Sequence, residues 1–85
     1  MKRHVLKCWP VFFDAILSGE KTFEYRLNDR GFETMDILCL REFDPIKQTY
    51  SGREITKQVG FLLHVKTYTH EGFVILSLLD WINEN

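Results

Sequence analysis

The sequence has few of the residues that mark a specialised class of protein. Its 85 residues include only two cysteines, two prolines and five glycines, and its charged side chains nearly cancel to a net charge of −1. Small secreted domains usually carry several paired cysteines, and a protein that coats duplex nucleic acid needs a basic face. This composition fits neither class, although a local basic groove remains compatible with it.

Long apolar runs are also absent. No stretch reaches the about 18–20 residues that a membrane-spanning helix needs, and the longest, residues 73–79, is interrupted by Ser77. The basic residues 1–4 are not followed by the apolar segment of a signal peptide. Cys8 and Cys39 stand alone in apolar surroundings. We therefore expect a cytoplasmic protein with reduced thiols and no membrane contact.

The residues that are present suffice for one small folded domain over residues 1–85. Hydrophobic residues make up 45% of the chain and aromatic residues 14%. Pro10 is suited to the first turn of a helix, and Gly19 to the left-handed position that ends one. The predicted elements are a strand over residues 4–8, a helix from Pro10 to Gly19, strands over 21–27, 36–43, 53–65 and 73–78, and turns at 49–52 and 69–72.

This β-α-β-β-β-β order predicts an α+β fold, a small β-barrel of about five strands. The helix carries Phe12, Phe13, Ile16 and Leu17 as a two-column apolar stripe, and it is too short to be stable alone. One helix and five strands bury the most surface, and leave no bare strand edges, when the strands curl into a barrel and the helix covers one opening. Gly60, in the middle of the longest predicted strand, predicts a bulge or a bend there.

Most familiar chemical motifs are missing. His4, His64 and His70 are scattered, and neither cysteine has a C-x-x-C partner, so the sequence predicts no metal site. It contains no glycine-rich phosphate loop, and we expect no cofactor. The three histidines are expected at the surface or at strand ends.

One segment, residues 19–26, is unusually rich in polar groups. A predicted helix end precedes a strand on which Glu24 and Arg26 lie on one face and Phe23 and Tyr25 on the other. Residue types alone favour a solvated strand face with an exposed ion pair. The alternative is a polar strand that lines a cleft, where a guanidinium binds phosphate or a base edge and a carboxylate accepts from an exocyclic amine.

These residues resemble the ASCH domains of the PUA-like superfamily. Residues 19–26 match the signature G-x-K-x-x-E-x-R, and the chain is similar throughout residues 4–79 to a small ASCH-like family of bacterial and phage proteins. The matching segments are residues 4–7 (HVLK), 19–30 (GEKTFEYRLNDR), 40–43 (LREF) and 50–53 (YSGR). Where that family has Gly-Asp, this chain has Met35-Asp36, and we expect Met35 to need no positive φ and Asp36 to open the strand.

The resemblance implies a PUA-like pseudo-barrel that binds RNA or a modified nucleoside in a cleft between the helix and the signature strand. Strict alternation places Lys21 opposite Glu24 and Arg26, so the three can share the cleft only if the strand begins after Lys21 or twists there. The predicted ligand-binding residues are Lys21, Glu24 and Arg26, with Asn28, Arg30, Tyr50 and Arg53 at the rim.

Two other functions compete with this prediction. Some small ASCH relatives are amidohydrolases that remove an acyl group from the exocyclic nitrogen of cytidine, using a lysine, a threonine nucleophile three residues later and a distant glutamate. Lys21 matches the lysine, but Glu24 occupies the threonine position, and Thr22 directly follows Lys21. The third function is a protein-interaction module that uses Trp81 and Ile82, which packing against the barrel would also explain. The oligomeric state stays open.

Overall fold

The computed structural model of the protein describes residues 1–64 and 70–81. Its elements are β1 (Arg3–Cys8), α1 (Pro10–Ser18), β2 (Phe23–Leu27), β3 (Ile37–Asp44), β4 (Thr49–Leu63) and β5 (Phe73–Asp80). The predicted order of elements is confirmed. Within the described ranges, the only helix is far shorter than one that crosses a membrane.

The five strands form one sheet in the order β1-β3-β4-β5-β2. β1 and β3 are parallel, and the other neighbours are antiparallel. The sheet curls into a half-barrel, so that the edge strands β1 and β2 approach each other without pairing. The prediction of a small α+β barrel-like fold is confirmed, but the expected closure without free edges is not found in the described part of the chain.

Helix α1 packs on the concave side of the sheet against β3. Of the predicted apolar stripe only Phe13 and Ile16 are buried, one residue from each column, whereas Phe12 and Leu17 stay exposed. Gly19 ends the helix as predicted, with a φ of 88° and its N–H donating to the carbonyl of Ile16 at 3.2 Å.

The predicted turn at residues 49–52 is wrong, because these residues belong to β4. The chain reverses earlier, where the carboxylate of Asp44 accepts hydrogen bonds from the N–H groups of Ile46 and Lys47. Gly52, with a φ of 93°, lies where the register between β3 and β4 shifts. The glycine that predicted a turn therefore marks a bulge.

The bulge predicted at Gly60 is confirmed by a register shift between β4 and β5. A Cβ at this position would lie 2.6 Å from Oγ of Ser77. The same hydroxyl accepts a 2.6 Å hydrogen bond from the N–H of Phe61. The predicted end of this strand, residue 65, and the start of the next turn, Thr69, lie outside the described residues. The remainder of that turn is confirmed by the hydrogen bond from Phe73 N–H to the carbonyl of His70.

The expectation for Met35 is wrong, because its φ is 80°. The strand begins at Ile37, and the side chain of Asp36, only 1% exposed, turns into the protein. It accepts hydrogen bonds from the backbone N–H groups of Lys2 and Glu33 and lies 2.8 Å from Nε2 of His4. These contacts fix the turn before β3 and force Met35 into the left-handed region. His4 is accordingly buried and not at the surface.

Candidate functional site

Strand β2 begins at Phe23, after Lys21, so strict alternation does not apply to the lysine. The N–H of Lys21 donates to the carbonyl of Ala15 at 3.0 Å, which holds the residue beneath the helix end. From there its side chain reaches the same side as Glu24. The three charged groups could share a cleft only if the strand began after Lys21 or twisted there, and the structure shows the first of these two arrangements.

Lys21, Glu24 and Arg26 form a continuous chain of contacts. Nζ of Lys21 donates to Oε1 of Glu24 at 2.9 Å and to the carbonyl of Phe23 at 2.8 Å. The other carboxylate oxygen lies 3.6 Å from Nε of Arg26. The ammonium group also lies between two aromatic rings, 5.4 Å from the centroid of Phe12 and 5.0 Å from that of Phe23.

The polar face of β2 points inward, which is the reverse of a usual amphipathic strand. Glu24 is 6% exposed, whereas Phe23 and Tyr25 are 45% and 46% exposed. The interpretation as a solvated strand face is therefore wrong for Glu24. A carboxylate is expensive to bury unless it is paired, and Lys21 supplies the partner.

A cavity of about 490 Å³ lies between the end of β1, the start of α1 and β2. We call it the helix-side cavity. Its polar groups are three cationic side chains and one carboxylate, and four aromatic rings lie around it. The lining residues are Lys7, Lys21, Arg26 and Glu24, the aromatic Trp9, Phe12, Phe23 and Tyr25, and Cys8. A positive pocket thus exists in a chain that is slightly acidic overall.

Arg26 also bridges the gap between the two edge strands. Its Nη2 donates to the carbonyl of Lys7 in β1 at 2.8 Å. Nearby, Nη1 of Arg30 donates to the carbonyl of Val5, two residues back along the same strand, at 2.9 Å. We call this gap, closed by two guanidinium groups in place of strand pairing, the β1–β2 seam.

A second cavity of about 460 Å³ lies farther along the seam, and we call it the loop-side cavity. It contains two of the four predicted rim residues, Arg30 and Tyr50, and it shares Lys7 and Arg26 with the helix-side cavity. Asn28 lines neither cavity. Its side-chain carbonyl accepts a hydrogen bond from the N–H of Phe32 at 2.9 Å, which shapes the loop after β2.

Arg53, the remaining rim residue, lines neither cavity, but it lies with Tyr50 at a smaller one of about 300 Å³. Its guanidinium donates to Glu42 at 2.8 and 3.0 Å and to Asp14 at 2.8 Å, and it covers the ring of Phe13. Hydrogen bonds from Arg53 and from the hydroxyl of Ser51 lower the pKa of Glu42 to about 2. Arg53 thus ties the helix to the sheet.

The candidate nucleophiles at or next to the helix-side cavity are Cys8 and Thr22. Burial, and then the nearby carboxylate of Glu24, raise the pKa of the Cys8 thiol to about 11, so the group is protonated at neutral pH. Thr22 does not line the cavity. In the part of the chain that the structure describes, no three histidine, cysteine or acidic side chains come together as a metal site.

The sequence prediction missed the contribution of β1 and the first turn of α1. Lys7, Cys8, Trp9 and Phe12 all line the helix-side cavity. Trp9 and Phe12 are exposed and stacked at 6.1 Å between ring centroids. The sequence feature that could have indicated this contribution is Trp9, a large aromatic residue directly before the proline that opens the helix, at a position that does not have to be buried in the core.

Comparison with known proteins identifies the family. A family model described as a domain of unknown function (DUF3850) matches residues 3–78. A protein of Escherichia phage P2, described as an uncharacterized 12.9 kDa protein in the GpA 3' region, is 33% identical over 75 residues. The match covers 88% of this chain and 66% of the phage protein, so the chain spans just under two thirds of that relative. The chain therefore belongs to the DUF3850 family, and it is similar to a phage protein.

Proposed function

We propose that the protein binds RNA or a modified nucleoside, with a base in the helix-side cavity. The observation that carries the proposal is the convergence of Lys21, Glu24 and Arg26 in one cavity of about 490 Å³. This volume lies within the about 300–1,000 Å³ of ordinary small-molecule sites.

The groups in the cavity match the chemistry of a nucleobase. The carboxylate of Glu24 can accept from an exocyclic amine, while Lys21 and Arg26 can donate to ring and carbonyl acceptors. The exposed rings of Trp9 and Phe12 offer faces on which a base can stack. Affinity would arise from this local pocket, because the chain as a whole carries a net charge of −1.

The same proposal includes membership of the PUA-like superfamily through the ASCH domains. It is supported by the signature at residues 19–26, whose lysine, glutamate and arginine contact one another, and by a curled five-strand sheet with one helix after the first strand. In this view the signature glycine ends the helix, and the three charged residues then form the polar wall of the cleft.

A tryptophan fluorescence titration tests binding at this site. The chain has two tryptophans, so a Trp81→Phe background leaves Trp9, at the rim of the helix-side cavity, as the sole reporter. The probes are the four ribonucleosides, N4-acetylcytidine and short single-stranded RNA. We expect saturable quenching by at least one probe.

The matched variants are Glu24→Gln and Glu54→Gln. Glu54 is 53% exposed by its side chain and pairs with Arg41 at the surface, outside the helix-side cavity. We expect Glu24→Gln to weaken binding by about tenfold, since the amide oxygen still accepts a hydrogen bond but lacks the charge that strengthens it, and Glu54→Gln to leave binding unchanged. Quenching by none of the probes, or equal effects of the two variants, would overturn the proposal.

The amidohydrolase alternative rests on the Lys21–Glu24 pair in the helix-side cavity. Turnover of N4-acetylcytidine that Lys21→Ala abolishes would favour it over simple binding. The protein-interaction alternative rests on Trp81, which is partly exposed, and on Ile82, which lies outside the described residues. No contact of the described chain favours it.

A further inference from the structure

We infer, building on the proposed function, that the ligand is a single-stranded RNA segment of at least two nucleotides and not a free nucleoside. One base would occupy the helix-side cavity, the linking phosphate would lie at Arg26 and Lys7, and the adjacent nucleotide would occupy the loop-side cavity.

The first support is that the two cavities are neighbours along the β1–β2 seam. They measure about 490 and 460 Å³, and Lys7 and Arg26 belong to the walls of both. A ligand that filled the helix-side cavity alone would leave a neighbouring polar space of nearly equal size open at the same two cationic side chains. A chain of two linked units matches two neighbouring spaces.

The second support is an unused donor at the junction of the cavities. Nη1 of Arg26 is buried and has no hydrogen-bond acceptor among residues 1–64 and 70–81. Its neighbour Nη2 is already committed to the carbonyl of Lys7. A buried donor without an acceptor is costly, and phosphate oxygens are the acceptors that a guanidinium binds most favourably. A phosphodiester at this point would satisfy Nη1 once the guanidinium turned to expose that atom, and the contact of Nη2 to β1 could stay in place.

The third support is the character of the loop-side cavity. Arg30 is held over it by the carbonyl of Val5, yet its side chain stays about half exposed. Tyr50 presents an exposed ring, braced edge-to-face against Phe43 with centroids 4.9 Å apart. A cation and a braced aromatic ring are what a second stacked nucleotide needs.

The test compares each ribonucleoside with its homodinucleotide, such as cytidine with CpC and uridine with UpU, in the Trp9 fluorescence titration. We expect at least one dinucleotide to bind about tenfold or more tightly than its nucleoside. Arg30→Ala should remove that gain and leave nucleoside affinity unchanged. Arg41→Ala, which removes an equally exposed arginine outside both cavities, is the matched control and should change neither affinity.

Because Arg30 also helps to close the seam, Tyr50→Leu serves as a second variant that leaves both arginine contacts in place. It should reduce the gain from the second nucleotide several-fold and leave nucleoside affinity unchanged. If nucleoside and dinucleotide bind equally to the unmodified protein, or if Arg30→Ala and Tyr50→Leu weaken both ligands alike, the two-nucleotide inference fails and the proposed nucleoside site stands. If no probe binds, both fail.

Discussion

Replacing Met35 by glycine should give a more stable protein than replacing it by alanine, because glycine adopts the backbone conformation at this position without strain. Met35 has a φ of 80°, where an L-residue is strained by about 1–2 kcal/mol. Glycine removes this strain but adds about 0.4–1 kcal/mol of entropy to the unfolded chain. The Met35 side chain is 55% exposed, and the burial that is lost with it is lost in the alanine variant as well. At the middle of these ranges the net gain over alanine is about 0.8 kcal/mol, or roughly 3–6 °C in Tm for a chain of this size.

The assay is thermal and urea unfolding followed by circular dichroism, with Met35→Ala as the control. Alanine loses the same atoms beyond the Cβ but keeps the strain of an L-residue at this φ, so the difference between the two variants isolates the strain. The hydrogen bond from the N–H of residue 35 to the carbonyl of Val59 is available to all three chains. If the glycine variant is no more stable than the alanine variant, the backbone at this position is not strained and the account of the Asp36 turn is wrong.

Three further outcomes are expected. Gly60→Ala should destabilise the protein by about 1–3 kcal/mol because its Cβ would lie 2.6 Å from Oγ of Ser77. The loss should be smaller when Ser77→Ala is also present, and an equal loss in both backgrounds would contradict this explanation. The pKa of Glu42 is lowered to about 2, so the stability that this carboxylate adds is fully present above about pH 4.5 and is lost as the pH falls through about 2. The free energy of unfolding of Glu42→Gln should therefore depend less steeply on pH between about 4.5 and 2 than that of the unmodified protein. Four cationic side chains line the two cavities, so the affinity for single-stranded RNA should fall with salt at a log–log slope no steeper than about −3, and a slope near −10 would contradict the local-pocket account.

Local signals in the sequence were sufficient for most of the fold. Pro10 and Gly19 bound the helix as their backbone preferences require, and Gly60 marks a bulge. The position of Met35 could not be predicted this way, because its φ is imposed by the buried contacts of Asp36 to Lys2 and His4, which are distant in sequence. The turn predicted at residues 49–52 is wrong because a glycine is typical of a turn and of a bulge alike, and the sequence does not distinguish the two at Gly52.

The candidate site was predictable where its residues are close in sequence. Lys21, Glu24 and Arg26 belong to one short segment, and their contacts follow from a strand that begins at Phe23. The contribution of β1 and of the residue after it could not be predicted from the sequence. Lys7 and Trp9 reach the cavity only because the curl of the sheet brings β1 close to β2. Arg53 was indistinguishable from Arg30 by residue type, and only its contacts with Asp14 and Glu42 show that it stabilises the fold.

The most direct test of the proposed binding site is a titration of the ¹⁵N-labelled protein with CpC and UpU, followed by backbone amide NMR. A base in the helix-side cavity predicts the largest shift changes at residues 7–9, 12 and 21–26, with smaller ones at Arg30 and Tyr50. Shift changes centred instead on Arg41 and Glu54, or no changes at millimolar ligand, would contradict the account.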